Sequence, residues 1–502
     1  MKEELFASKS GALTAKTGEK TLHSRYDPLA EAENFILSLG LSGEIRFFLL
    51  IEPGLGYIIP VLRKMFPESK IIAIHVSPFL AKKQAETAPG AKVWSPDSGT
   101  ELGAFLEQEL PDIYAREARI IEWRPALAAY GEGCLGLLKK TAEFIKRIDA
   151  NARTARGFGR RWFKNFFRNL RLIREIADFT EFRGRGIPWI VTGAGPSLEE
   201  SAEAIREILA GGGFLLAASS STAALRRRGL DAGLVVSTDG GAWALFHLYE
   251  TLRAGGRPAI AFSLSAAMPS QCGACPLLPL GDGSFWQELV LKGLGIPHIS
   301  LPQRGTVSAT ALDLALFLTD GRIAFAGMDL SQRDIRTHAR PYGLDRFQEE
   351  GSSRLSPRYS REFFRAADLN ARGSQKIYAE WFRDEVGRYP GRLYSLGNNN
   401  PVFGALAAGQ PALAGNGRQR KPGPRPAFRA LPLPGRSRDP ARDGTDILLA
   451  ALEKSGAAES VFAGLGPLLL LDGRRDEYNG ENGRLLAEEI KLLAGNYRSR
   501  HG

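Results

Sequence analysis

The chain is poor in cysteine, with three among 502 residues: Cys134, Cys272 and Cys275. Three cannot build a disulfide framework. Cys272-Gly-Ala-Cys275 is half of a zinc or redox motif with no second pair to complete it, and it reads as a reduced turn. Long apolar runs are also missing. None approaches the roughly eighteen residues that a membrane helix needs, so no membrane span is expected. The opening Met1-Lys-Glu-Glu-Leu-Phe-Ala7 lacks the apolar region of a secretory signal, which makes the cytoplasm the expected compartment. Histidine is scarce, six in all, and this shortens the roster of candidate bases.

What is present is ordinary for a globular chain, with 44% hydrophobic and 24% charged residues. The length suggests roughly two to four domains. The net charge of +11 points to nucleic acid until its position is considered. Between Arg418 and Asp443 stand eight basic residues (Arg418, Arg420, Lys421, Arg425, Arg429, Arg436, Arg438, Arg442) against two acidic ones. That is more than half of the excess, in a segment rich in Pro and Gly, so residues 406–444 read as an extended basic linker. No nucleic-acid partner is expected. Arg160-Arg-Trp-Phe-Lys-Asn-Phe-Phe-Arg-Asn-Leu-Arg-Leu-Ile173 interleaves basic and aromatic residues at helical spacing. Such a helix either stacks on single-stranded nucleic acid or docks the first domain on the second; the second reading is preferred.

Along the chain, residues 1 to about 20 read as frayed. A Rossmann-like α/β domain is expected over 20–135. It holds a helix opened by Asp27-Pro28, a strand between Glu44 and Glu52, the turn Pro53-Gly-Leu-Gly-Tyr57, a helix ending near Phe66, and a strand over Lys70–His75. Gly54 and Gly56 invite a nucleotide, for instance in a methyltransferase. The second strand, however, ends in His75-Val-Ser77, where a ribose-holding acid is usual, so a structural domain is preferred. Connecting helices follow over 136–182 and a central domain over 183–405. Beyond the linker, 445–502 reads as a small helical domain.

The chain is organised around Ile187-Pro-Trp-Ile-Val-Thr-Gly-Ala-Gly-Pro-Ser-Leu198. An apolar strand, the turn Gly193-Ala194-Gly195, and Pro196 at a helix start make an anion site in principle, with Thr192 or Ser197 as caps. The same turn also occurs where only tight packing requires it. The alternation continues with strands at 213–218, 234–237, 259–262 and 322–326, and with helices between them. This pattern predicts a doubly wound, Rossmann-like parallel sheet whose ligand loops lie at the carboxyl ends of the strands. Gly193–Ser197, Ser219–Thr222, Asp239–Gly241 and Asp329–His338 are therefore expected to converge.

These features in this order resemble the motility-associated factor (Maf) family of bacterial flagellin glycosyltransferases. The order is Gly193-Ala-Gly-Pro-Ser-Leu198, Ser237-Thr-Asp239, Gly305-Thr-Val-Ser-Ala-Thr-Ala-Leu-Asp-Leu-Ala-Leu-Phe-Leu318, Ile323-Ala-Phe-Ala-Gly-Met-Asp-Leu330 and Thr337-His338. The likeness spans roughly 20–405. It includes Ser24-Arg-Tyr-Asp-Pro28, Gly54-Leu-Gly-Tyr57 and the helix carrying Trp162, Asn165 and Asn169. The family's central domain is in turn similar to bacterial sialyltransferases, which commonly have Asn where this chain has Ala194, and to an archaeal 6-hydroxymethylpterin diphosphokinase family.

The resemblance implies transfer of a nonulosonic acid (pseudaminic-, legionaminic- or sialic-like) from its CMP-activated form to Ser or Thr of flagellin. It implies a donor site at Gly193, Ala194, Gly195, Pro196 and Ser197, with Ser219, Asp239, Thr306 and Ser308, and no metal or resident cofactor. His338 is the expected base, ahead of His247 and His298, with Asp329 orienting it or holding a hydroxyl. Arg333, Arg336 and Arg340 are placed to neutralise a phosphate or carboxylate. Two other classes stay open: a Mg2+- and ATP-dependent diphosphokinase with Asp239 and Asp329 on the metal, and a non-catalytic flagellin-binding scaffold.

Overall fold

The computed structural model describes residues 3–495 except 181, 184–185, 254–256, 303, 331–334, 372–373, 397–427, 434, 436, 455 and 471–478. It divides into two compact units, Met1–Gly157 and Phe158–Gly502.

The first unit opens with an antiparallel hairpin, β1 (Glu3–Ala7) and β2 (Leu13–Thr17), extended by β3 (Lys20–Thr21). The frayed start expected for residues 1–20 is thus corrected. The hairpin buries mostly small or polar side chains, Thr14, Ala15 and Thr17, so it shows little apolar alternation to read. The helix Pro28–Ser38 starts where its punctuation says: the Asp27 carboxylate accepts from Leu29 N and Ala30 N, and Pro28 occupies the first turn. Four parallel strands follow, β4 (Phe47–Ile51), β5 (Lys70–Ile74), β6 (Lys92–Trp94) and β7 (Ala118–Glu122), in the order β6-β5-β4-β7. Every residue of β4 is buried, as a strand covered on both faces requires.

The second unit is built on a ten-stranded sheet. Its strands are β8 (Glu175–Asp178), β9 (Trp189–Thr192), β10 (Phe214–Ala218), β11 (Leu234–Ser237), β12 (Ala259–Ser263), β13 (Leu277–Gly281), β14 (Ile299–Ser300), β15 (Ile323–Ala326), β16 (Leu393–Ser395) and β17 (Arg429–Pro432). The main path runs β16-β15-β9-β10-β11-β12-β13-β8-β17, parallel except for β17, with β14 beside β13. The doubly wound sheet is as expected, and its direction of winding reverses between β9 and β15.

Three readings change. Residues 175–178, expected within connecting helices, form β8. Residues 429–432, expected in the linker, pair with β8 as its antiparallel edge; Arg418, Arg420, Lys421, Arg425 and Arg436 of that linker lie outside the described residues. The C-terminal helices, Pro440–Leu452, Ala457–Leu469 and Gly480–Gly495, are not packed as a body apart. Leu448, Phe462 and Leu486 share one core with Ile260, Leu277 and Trp286 of the sheet layer. Phe163, Phe166, Phe167 and Leu170, from the end of the helix Glu132–Leu170, lie in that same core, each at most 2% exposed. They are therefore unavailable for stacking on bases.

Candidate active site

Glycine in the turn after β9 serves a close approach of two loops. The turn lies against Gly327-Met-Asp329, which follows β15. Gly193 N donates to Ala326 O at 2.9 Å, and Gly195 N to Gly327 O at 2.7 Å. A Cβ at Gly193 would meet Gly327 O at 2.5 Å, and one at Gly195 would overlap the Asp329 carboxylate. Asp329 Oδ2 itself accepts from Ser197 N at 3.1 Å. Leu198 N donates back to Gly195 O. Three of the amides expected to cradle a phosphate, those of Gly193, Gly195 and Ser197, are thus engaged by the protein's own carbonyls and one carboxylate. No regular helix begins here either. Pro196–Glu199 is a single 3-10 turn, and the α-helix spans Ala202–Ala210. Neither expected cap is used at its start: Thr192 Oγ1 bonds Ser221 Oγ at 2.9 Å, and Ser197 contributes its amide to Asp329.

The loops after β9, β10 and β15 do converge. Thr192 and Ser221 join the first two, while Ala339 N donates to Ala194 O at 2.8 Å and brings the His338 segment to the glycine turn. Ser219 is buried in the short turn after β10. Asp239, after β11, is exposed and accepts from Gly241 N at 2.7 Å. That loop is braced from behind: Asn165 Nδ2 donates to Gly240 O and Ser265 O, and Asn169 Nδ2 to Leu264 O and Ala266 O. This accounts for the Trp162, Asn165 and Asn169 helix; Trp162 packs where a side chain at 240 would stand. Thr306 caps the helix Val307–Leu318 by accepting from Ser308 N, so these two residues bond to each other. His298 is tied to Glu288 at 3.1 Å and to Ile296 O, and His247 lies against Tyr342 with 4.7 Å between centroids.

His338 stacks on Tyr342, with centroids 4.1 Å apart and planes 20° from parallel. Its Nδ1 is hydrogen-bonded to Thr337 Oγ1 at 2.8 Å. In the tautomer where Nδ1–H donates, the lone pair is on Nε2. A narrow pocket of about 10 Å³, about one water's room, is lined by Thr337, His338, Arg340, Tyr342, Asp345, Gln348 and Glu362. It shares Arg340, Asp345 and Glu362 with an open cleft of about 1060 Å³. Burial raises the Asp345 carboxyl above the usual range, against the lowering effects of the Tyr342 amide and Arg340. Arg336 pairs with Glu199 at 3.4 Å. Arg333 lies outside the described residues.

Sequence reasoning missed Glu199, Arg228, Tyr342, Asp345, Arg358 and Glu362. The available signals were Glu199 beside the glycine turn and the run Arg226-Arg227-Arg228. The two other cysteines of interest stand apart. Cys272 and Cys275 are buried in the core and free, and burial pushes the Cys272 thiol up to about 12. Among the described residues, no three His, Cys, Asp or Glu side chains are grouped as a metal would need. None of the described helices is long and apolar enough to cross a membrane.

Comparison with known proteins fits this architecture. Residues 160–334 match the family model for 6-hydroxymethylpterin diphosphokinase MptE-like proteins. An uncharacterized protein of Treponema pallidum (strain Nichols) is 26% identical over 301 residues, 57% of this chain. The chain spans 63% of that relative's length. Among solved structures, a MAf glycosyltransferase from Magnetospirillum magneticum AMB-1 superposes with a TM-score of 0.51, covering 99% of this chain and 86% of that one at 12% identity. The chain therefore has the architecture of the Maf type, with an MptE-like domain at residues 160–334.

Proposed function

We propose that the chain is a glycosyltransferase, moving a nonulosonic acid from a CMP-activated donor onto Ser or Thr of flagellin in the cytoplasm. The observation that carries this reading is His338, held by Tyr342 and Thr337 in a pocket that opens on an arginine-lined cleft. It lies where a doubly wound sheet places its ligands, beside the β9/β15 reversal. The shared fold with a MAf glycosyltransferase supports the class of reaction.

In this reading His338 Nε2 takes the proton of the acceptor hydroxyl as its oxygen attacks the anomeric carbon. The bond from that carbon to the phosphate oxygen breaks, and CMP leaves with the electron pair. Nearby guanidinium groups stabilise the charge on the leaving phosphate. Asp329, bonded to the Ser197 amide, keeps the two loops in register and orients the His338 segment through them. Thr306, Ser308, Ser219 and Asp239 line the same carboxyl edge and serve the donor's hydroxyls. No metal takes part.

The test combines ligand-induced stabilisation with turnover. CMP is expected to raise the melting temperature without Mg2+, because it binds the folded state. Transfer is expected to survive EDTA and to fall about 10²–10⁴-fold in His338→Ala with the fold intact. A Mg2+-dependent shift with ATP and none with CMP would replace this reading by the diphosphokinase. Flagellin capture with no response to any nucleotide would favour the scaffold.

A further inference from the structure

The open cleft is electrically uneven. Its lining includes Arg227, Arg228, Arg336, Arg340, Arg358, Asp345, Glu349 and Glu362. The ion pairs sort these into two groups, Arg228 and Arg336 on Glu199 and Arg340 and Arg358 among Asp345, Glu349 and Glu362; Arg227 adjoins Arg228 in the chain. In the first group a single carboxylate, Glu199, serves two guanidinium groups and one backbone amide. It pairs with Arg228 at 3.2 Å and Arg336 at 3.4 Å, and accepts from Arg340 N at 2.8 Å. Arg227 is exposed and has no carboxylate partner among the described residues. In the second group the balance reverses, with Arg340 and Arg358 enclosed by three carboxylates. Arg340 bridges Asp345 and Glu362. Arg358 bridges Asp345, Glu349 at 2.6 Å and Glu362 at 2.8 Å. The cleft thus has a positive pole and an acidic edge.

Folding alone does not account for the positive pole. Like charges held side by side with too few counter-charges cost stability, and Arg228 is tied in place by donating to Ala224 O and Arg340 O. The glycine turn, by contrast, has spent the Gly193, Gly195 and Ser197 amides on its own loops and lies against the Asp329 carboxylate, which repels a phosphate. Arg336 is two residues from His338, at most about 7 Å along the backbone.

We infer that this cleft seats an acidic carbohydrate. Its carboxylate or phosphate lies on Arg227, Arg228 and Arg336, and its hydroxyl groups donate to the edge of Asp345, Glu349 and Glu362. The inference rests on the transferase reading for the identity of the ligand, and it moves the anion from the glycine turn to the arginine pole. Planar guanidinium groups bind either anion through paired N–H donors. The volume, about 1060 Å³, holds a sugar nucleotide.

The test is calorimetric titration of the full chain and of Arg227→Gln, Arg336→Gln and the double variant. Arg227 makes no described bond, so its loss leaves the fold untouched. The probes are CMP, N-acetylneuraminic acid, its methyl ester and inorganic pyrophosphate. The expected result is binding of CMP or the free acid, at least tenfold weaker in each single variant and weaker again in the double, with the ester unbound. A phosphate-bearing ligand is indicated if only CMP responds, and a carboxylate-bearing one if only the free acid does. Equal binding by all variants would overturn the inference and leave the transferase standing. Pyrophosphate bound in an arginine-dependent way, with CMP and the acid silent, would support the pole while sinking the CMP-sugar reading. Silence from all four probes would overturn both.

Discussion

The two units each place a Gly-x-Gly turn after a buried strand of a parallel sheet, and they use it differently. In the first unit the turn is sealed by the protein's own side chains. A Cβ at Gly54 would overlap His23 Nε2, which accepts from Leu55 N at 2.9 Å; one at Gly56 would meet Gln84 Cγ at 2.6 Å. Both glycines have positive φ, +60° and +81°, which L side chains rarely adopt. Behind them Glu52 and His75, fully buried, pair at 2.9 Å, and the Glu52 carboxylate also accepts from the Val76 and Ser77 amides. The place where a ribose would be held is filled. In the second unit the glycines let two loops cross, and the neighbouring segment opens on the His338 pocket and the arginine cleft. The same local signal is packing in one unit and the rim of a candidate site in the other.

That contrast is broken most severely by Gly54→Ala. Strained φ adds about 1 kcal/mol and overlap with His23 about 1–3 more, so chemical denaturation should show a loss of about 2–4 kcal/mol. Ligand binding by the second unit should be unchanged. If Gly54→Ala instead abolished CMP binding at unchanged stability, the first turn would be a ligand site after all.

A somewhat smaller effect is expected from acid. Burial lowers the His23 pKa to about 3, so the folded state holds the ring neutral while the unfolded chain protonates it near 6.5. The unfolded state then binds more protons below 6.5, and stability falls as pH drops from there towards 3. Between pH 7 and pH 5 the loss is about 2 kcal/mol. Trp123, 5.3 Å from the His23 ring, reports it by fluorescence. His23→Gln should flatten the profile over this range; an unaltered slope would assign the acid sensitivity elsewhere.

The smallest effect tests the second unit. Thr306→Ala removes the cap of the helix Val307–Leu318 and should cost about 1 kcal/mol. A fall in donor affinity beside that loss is expected if Thr306 also serves the donor's hydroxyls; unchanged affinity would limit Thr306 to its cap.

How much was legible in the sequence differs by element for physical reasons. Strands such as Phe47–Ile51 and Trp189–Thr192 announce themselves because both faces are buried. Asp27-Pro28 and Thr306 mark helix starts because unpaired amides need an acceptor nearby. β17 was hidden because an edge strand of Arg429-Ala-Leu-Pro432 carries the composition of a linker; only its pairing with β8 makes it a strand. The site divides the same way. His338 and Arg336 were legible as polar residues after a strand end. Glu199 and Arg228 were not, since their charge balance depends on residues distant in sequence; Tyr342 was not, since its stacking on His338 is set by the path of the loop between them.

By itself, then, the sequence determined the alternation of strands and helices, the doubly wound sheet and the edge at which its loops meet, because these follow from burial period and turn chemistry along the chain. Only the tertiary structure decided what each glycine turn faces, His23 and Gln84 in one unit and Asp329 in the other. It also decided that Arg228 and Arg336 share one glutamate. Those outcomes turn on the approach of residues 28 to 137 positions apart, which no local pattern encodes.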